Sequence, residues 1–87
     1  MCWPTTTATA AYRLLVSTVA EAVRGGATEV EFTAHCLGPD RGRHVTIEHD
    51  GGADADRAID RDRVLAAGGR VEFIERAGQR NVEAWLP

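Results

Sequence analysis

The stretch that decides the fold is Asp62–Pro87, which reads DRVLAAGGRVEFIERAGQRNVEAWLP. It opens with the last turns of a helical pattern, and the glycine pair at 68–69 ends that pattern because glycine readily adopts the left-handed C-cap conformation. Two runs of alternating apolar residues follow, Arg70–Arg76 and Arg80–Leu86, with the short turn AGQ between them. Alternation with a period of two is typical of strands that bury one face. This stretch therefore predicts a helix end followed by a β-hairpin.

A longer helical pattern lies near the start of the chain. Residues 1–8 are rich in threonine and predict a flexible lead. Thr9 is suited to be the N-cap of a helix over Ala10–Arg24, which the next two glycines would end. The predicted buried face consists of apolar residues at helical spacing: Tyr12, Leu15, Val16, Val19, Ala22 and Val23. Ser17 and Glu21 would then lie on the opposite, solvated face.

Two strands and a second helix complete the predicted domain. Glu29–Leu37 and His44–His49 alternate apolar and polar residues, and the glycine- and proline-containing segment between them predicts a hairpin loop. A helix is predicted over residues 57–67, with Ile59, Val64 and Leu65 buried. The order α-β-β-α-β-β predicts an α+β two-layer sandwich, in which both helices cover one face of a four-stranded mixed or antiparallel sheet. We expect residues 9–87 to form this single domain.

Composition limits the classes of function. The chain has 87 residues, a formal net charge of −3 and a pI near 5.5, and all ten of its basic residues are arginine. These values give no electrostatic reason to expect nucleic acid or an anionic membrane as a partner. No apolar run approaches the length of a membrane span, and two cysteines do not predict a disulfide framework. We therefore expect a soluble cytoplasmic protein.

Three stretches in a fixed order carry a family resemblance. They are AYRLLVSTVAEAVRGGAT at 11–28, VTIEHDGGA at 45–53, and the stretch at 62–87 quoted above. Together they resemble the ATP-binding domain of bacterial sensor histidine kinases, within the GHKL ATPase family. The resemblance covers most of the chain and implies a nucleotide pocket between the first helix and the sheet. The family's strand before the first helix and its lid insertion have no counterpart here.

The polar positions of the family's pocket are replaced. In the family, a Glu, an Asn that holds Mg²⁺ and often a His occur along the first helix, and these places fall on Ser17, Glu21 and Gly25. A Glu can still bind Mg²⁺ through oxygen. The family's adenine-binding Asp falls on His49, or on Asp50 if the register slips by one residue. The remaining motif positions are Gly51, which is kept, and Ala53, which replaces a glycine.

The lid region argues against turnover of ATP. Between Ala53 and Val64 the chain reads DADRAIDRDR, which has no glycine and four aspartates. Backbone N–H groups of a glycine-rich lid would be missing, and the carboxylates would repel a triphosphate. The sequence therefore predicts a non-catalytic, degenerate domain that acts as a protein-interaction or regulatory module. The alternative is a residual ATP/ADP-binding domain without phosphotransfer, in which Glu21, His49, Asp50 and Gly51 would contact Mg²⁺ and nucleotide.

Other chemistry is weakly indicated. We expect no catalytic residue and no bound cofactor beyond weak Mg-ATP or Mg-ADP. We also expect no metal site, because His35 and Cys36 point to opposite faces of their strand. The aspartates of residues 50–56 lack the spacing of a Ca²⁺-binding loop. Alternation places Trp85 on the sheet face away from the helices, near Ile74. We predict that Trp85 and Ile74, with Trp3, belong to an interface with a protein partner or with a second copy in a dimer. The alternative is that Trp85 is a single aromatic residue covered by the N-terminal segment and Trp3.

Overall fold

The computed structural model describes residues 3–38, 41–52 and 57–87. Its elements occur in the predicted order, which confirms the two-layer α+β fold. They are α1 (Thr5–Arg24), β1 (Val30–Cys36), β2 (Arg43–His49), α2 (Ala58–Ala66), β3 (Arg70–Arg76) and β4 (Gln79–Leu86).

The four strands form one antiparallel sheet in the order β1-β2-β4-β3. β2 and β4 lie at the centre, and their register pairs Val45 with Ala84 and Ile47 with Val82. These four side chains are buried under the helices and form the middle of the core. The alternation read from the sequence therefore assigns the inner face of the central strands correctly.

The first helix begins earlier than predicted, at Thr5 instead of Ala10. Pro4 is its N-cap residue, and a fixed proline φ is suited to a helix start. Thr7, which the sequence places in a flexible lead, is buried, and its Oγ1 donates a hydrogen bond of 2.8 Å to the carbonyl oxygen of Pro87. At the other end Gly26, and not Gly25, adopts positive φ.

The predicted buried face of α1 is only partly correct, since Ala22 is buried and Leu15 packs against the core but other predicted residues are exposed. The helix packs on the sheet through mostly small residues, and its buried positions are Thr7, Ala10, Ala11, Leu14, Thr18, Glu21 and Ala22. Tyr12 and Val23, which were expected in the core, are 67% and 69% exposed. Small side chains let the helix backbone approach the sheet closely, so the larger apolar residues are displaced to the flank of the helix.

The burial prediction is partly correct for α2 and wrong for β1. In α2 Val64 is buried as predicted, together with Asp60, whereas Ile59 and Leu65 are exposed. β1 is exposed or half-exposed along its whole length, although its alternation predicted a half-buried strand. It is an edge strand, so only one of its sides is paired in the sheet.

Two further observations concern the chain as a whole. No helix within the described ranges has the length and apolarity that crossing a membrane requires. Cys36 is disulfide-bonded, contrary to the expectation from two cysteines, and Cys2 lies outside the described residues.

Candidate functional site

Arg57, the residue before α2, joins the two helices through its guanidinium group. Its Nη1 pairs with Oε2 of Glu21 in α1, its Nε donates to Oδ2 of Asp60 at 2.6 Å, and its Nη2 donates to Oγ1 of Thr18 at 2.7 Å. All three guanidinium nitrogens therefore have an acceptor. We call Arg57, Glu21, Asp60 and Thr18 the Arg57 cluster.

The Arg57 cluster is almost completely removed from water. The side chains of Arg57, Glu21 and Asp60 are 12%, 4% and 7% exposed. The guanidinium carbon lies 4.8 Å from the centroid of the Phe73 ring, which adds a cation–π contact from the sheet. Buried charges need such partners, because an uncompensated charge in a protein interior is strongly destabilising.

This arrangement changes the interpretation of Glu21 and Ser17. Both were expected on a solvated helix face, but Glu21 is 3% exposed and its carboxylate is held by Arg57. Ser17 donates a 2.8 Å hydrogen bond from Oγ to Oδ2 of Asp60. Oε2 of Glu21, one of the oxygens that would bind Mg²⁺, is therefore already paired with a cation of the protein itself.

His49 ends β2 at the same edge of the sheet and is 2% exposed. Its Nδ1 accepts a 3.1 Å hydrogen bond from the backbone N–H of Gly51. Burial lowers the pKa of His49 below 6.5, Glu21 opposes this shift, and Arg80 and Arg57 reinforce it. In the neutral ring Nε2 then carries the proton. This nitrogen is a donor, so it cannot accept a hydrogen bond from an adenine amino group.

Gly51 lies against the C-terminal turn of α1. A Cβ atom at this position would lie 2.8 Å from the carbonyl oxygen of Ala22, so only glycine fits without movement. Its carbonyl oxygen accepts a 3.0 Å hydrogen bond from Nε of Arg80, and the N–H of Gly52 donates to the carbonyl of Gly25 at 3.1 Å. The kept glycine of the motif therefore has a packing role in this chain.

Asp50 does not join the Arg57 cluster. Its carboxylate accepts hydrogen bonds from the N–H and the hydroxyl of Thr28 and, at 3.2 Å, from the N–H of Glu29. These hydrogen bonds, led by the Thr28 hydroxyl, lower the pKa of Asp50. Asp50 thus fixes the segment between α1 and β1. Ala53, the remaining motif position, lies outside the described residues.

The cavity at the Arg57 cluster is small. It measures about 210 Å³ and is lined by Glu21, His49, Arg57 and Arg80, among others. Ligand pockets commonly measure about 300–1,000 Å³. A larger groove of about 590 Å³ lies at the end of the sheet, where Glu29, Glu31, Glu48, Asp50 and Glu83 contribute carboxylates that disfavour a polyanion. In the described ranges no three His, Cys, Asp or Glu residues gather as a metal site would require.

The residues predicted to form an interface lie apart. On the open face of the sheet the Trp85 ring stacks on His44, with centroids 5.2 Å apart, and Cζ of Arg70 lies 4.2 Å from the Trp85 ring centroid. Ile74 shares this face, but it is four residues beyond Arg70 along β3, or about 13 Å. Trp3 packs against the core cluster under the helices, on the other side of the sheet.

One solved structure relates this architecture to a known protein. The Acinetobacter baumannii histidine kinase AdeS matches with a TM-score of 0.70 and 12% sequence identity. The fold is similar to that of a histidine kinase. The match covers 88% of this chain and 45% of that chain, so the chain spans less than half the length of the AdeS structure. No family model and no curated protein matches the chain.

The site as a whole is partly foreseen by the sequence. The structure brings Glu21, His49 and Gly51 to one end of the sheet, as the resemblance implies. Arg57 was not foreseen as a site residue, although it is the centre of the cluster. In the sequence, only the i,i+3 spacing of Arg57 and Asp60 indicated an ion pair, and this spacing is common in helices. It does not reveal the contacts of Arg57 with Glu21 and Thr18, which lie 36 and 39 positions away in the sequence.

Proposed function

We propose that this chain is a signal-transduction domain of the histidine-kinase-like ATPase type that has lost nucleotide chemistry and acts by binding a protein. The Arg57 cluster carries the proposal. A buried arginine occupies the oxygen ligands of Glu21 and the space beside His49, where the resemblance places Mg²⁺ and adenine. For nucleotide to bind, a desolvated ion pair would have to break, which commonly costs several kcal/mol.

The polarity of His49 supports the same proposal. The family's carboxylate accepts a hydrogen bond from the adenine amino group, whereas neutral His49 offers a donor and uses its acceptor on Gly51. A binding site that presents a donor to a donor rejects the ligand, because two polar groups lose their hydrogen bonds to water. Binding of adenine and Mg²⁺ in the way the family binds them would thus require both His49 and Arg57 to rearrange.

For the binding surface, we propose the open sheet face around Trp85. This ring is half-buried between His44 and Arg70, which hold it in one orientation. Rigid aromatic residues flanked by arginine are enriched where proteins bind each other strongly. Partner binding at this face predicts that Trp85→Ala lowers the affinity at least tenfold, while Thr46→Ala, on the same face of the neighbouring strand, changes it little.

The decisive experiment is calorimetric titration of the chain with Mg-ADP at millimolar concentration, for the wild type and for His49→Ala. We expect no saturable heat from either protein. Saturable binding by the wild type that His49→Ala abolishes would overturn the proposal and establish the alternative, a residual nucleotide-binding domain. Binding that survives His49→Ala would also overturn it and would locate the nucleotide elsewhere.

A further inference from the structure

An uncovered apolar surface lies at one edge of the two-layer fold. It consists of the outer backbone of β1 and the side chains of Val30 and Phe32, and we call it the β1-edge surface. Both side chains are exposed, and Phe32 is 43% accessible although it belongs to the inner face of the sheet. An uncovered edge strand with exposed apolar side chains is suited to pairing with another chain.

Two apolar residues of α1 lie on the flank of the helix nearest this edge. At 100° per residue, Leu15 and Val19 lie about 80–120° from the centre of the buried face of α1, on the side away from the Arg57 cluster. Tyr12, Val16 and Val23 lie about 140–180° from that centre and face solvent. Because α1 packs against β1 and β2 while α2 packs against β3, the flank with Leu15 and Val19 lies on the side of β1.

The outer backbone of β1 is suited to pairing with another strand. β1 is the edge strand, and its seven residues contain no proline and no lysine, two devices that block edge pairing. The N–H of Leu37 donates to Gly42 at 2.9 Å, which continues the β1–β2 ladder. Backbone groups alternate in direction along an antiparallel strand. Val30, Phe32 and Ala34 therefore direct their N–H and C=O groups outward.

We propose that the β1-edge surface binds a second copy of this chain, with the two β1 strands antiparallel about a two-fold axis at Thr33. This register overlaps all seven residues of both strands and pairs Phe32 with Ala34 of the other copy on the inner face. On the outer face it places Glu31 opposite His35 of the other copy, twice. A carboxylate opposite an imidazole is a favourable cross-strand pair, so the strand is complementary to itself.

The helices also fit this arrangement. Neighbouring strands are spaced by about 4.8 Å. An α1 helix that packs on β1 and β2 therefore lies about 5 Å from the two-fold axis, which sets the two α1 axes about 10 Å apart. This value agrees with the roughly 8–10 Å at which packed helices lie. Leu15 and Val19 on the flanks of the two α1 helices would then face each other across the axis.

The inference deepens the proposed function by naming a protein partner, but it rests on a different surface from Trp85. The proposed dimer and the proposed loss of nucleotide chemistry can be refuted independently of each other. Mg-ADP titration tests the loss of nucleotide chemistry and leaves the molecular mass unchanged, whereas the mass in solution tests the dimer whatever the titration gives. Trp85→Ala lies outside the β1-edge surface and should leave the dimer intact.

The test is sedimentation equilibrium of the chain at concentrations from about 5 to about 500 µM, which brackets the dissociation constants of weak homodimers. We expect a dimer that dissociates on dilution. Phe32→Glu places a charge in the β1-edge surface and should make the chain monomeric, with a rise in the dissociation constant of at least a hundredfold. The matched control is Ile59→Glu on α2, since Ile59 is also apolar and 67% exposed but lies outside the surface.

A second variant tests the strand pairing directly. The N–H of Ala34 points outward, so Ala34→Pro keeps the β1–β2 ladder and removes a hydrogen bond only from the dimer. It should give a folded monomer by circular dichroism. A monomeric wild type at the highest concentration would overturn the proposal, and so would a dimer that Phe32→Glu and Ala34→Pro leave unchanged. A dimer lost in Ile59→Glu or Trp85→Ala but kept in Phe32→Glu would place the interface elsewhere and would also overturn the proposal.

Discussion

Replacing Arg57 with methionine tests whether the buried ion pairs hold the two helices together. Methionine replaces the aliphatic part of the side chain with an unbranched apolar one, but it removes the guanidinium group and leaves Glu21 and Asp60 without a cation. Removing one partner of a buried pair commonly destabilises by about 3–5 kcal/mol. A domain of this size is stable by roughly 4–13 kcal/mol, so Arg57→Met should remove a large part of the free energy of unfolding.

The assay is urea unfolding followed by tryptophan fluorescence and circular dichroism. The control is Arg61→Met, because Cζ of Arg61 also lies near the Phe73 ring, at 5.5 Å, on an exposed residue. This variant should lose less than about 1 kcal/mol. Adding Glu21→Leu and Asp60→Leu to Arg57→Met should restore most of the stability, since apolar replacements of a whole buried cluster are often neutral or better. Equal losses for Arg57→Met and Arg61→Met would refute the reasoning.

Three further predictions concern the loop after β2. Folding lowers the pKa of His49, so below pH 6.5 the unfolded state binds more protons than the folded state. The free energy of unfolding should therefore fall as the pH drops below 6.5, by at most about 1.4 kcal/mol per pH unit. His49→Gln should flatten that limb of a plot of melting temperature against pH. The pKa of Asp50 is also lowered, so the stabilisation from its hydrogen bonds with Thr28 is complete above pH 3.8 and is lost in stronger acid. Asp50→Ala should remove this acid-induced fall in the melting temperature. Gly51→Ala should lower the free energy of unfolding in urea by about 1–3 kcal/mol. Gly52→Ala should be near neutral, since no atom lies within 4 Å of the place that its added methyl group would take. Equal effects of the two substitutions would contradict the close packing of Gly51.

The sequence predicts the architecture better than the packing. Each strand has its own alternation and each helix ends at a glycine pair, so local patterns suffice for the order and type of the elements. The face of α1 could not be read in the same way. Apolar residues at helical spacing predict a buried face with large side chains such as Tyr12 and Val16. The close contact between α1 and the sheet instead buries small residues such as Ala11 and Thr18.

The candidate site shows the same limit. The resemblance correctly places Glu21, His49 and Gly51 near one another, because motif order follows the fold. It cannot show that Arg57 pairs with Glu21, because that contact depends on how a loop 36 residues away returns to α1. The four aspartates between Ala53 and Val64 indicated only repulsion of a polyanion. In the structure Arg57, from the same stretch, is the centre of the Arg57 cluster.

The strand order has a consequence for the synthesis of the protein. β1–β2 and β3–β4 are hairpins with local contacts, and only β4 joins the two by pairing with β2. β4 leaves the ribosome after the other three strands, so the β1–β2 hairpin and the still unpaired β3 cannot join into one sheet until residue 86 has cleared the exit tunnel. We expect arrest-peptide fusions to report a folding force only at lengths that release β4. A force at shorter lengths would mean that the first hairpin and α1 fold by themselves.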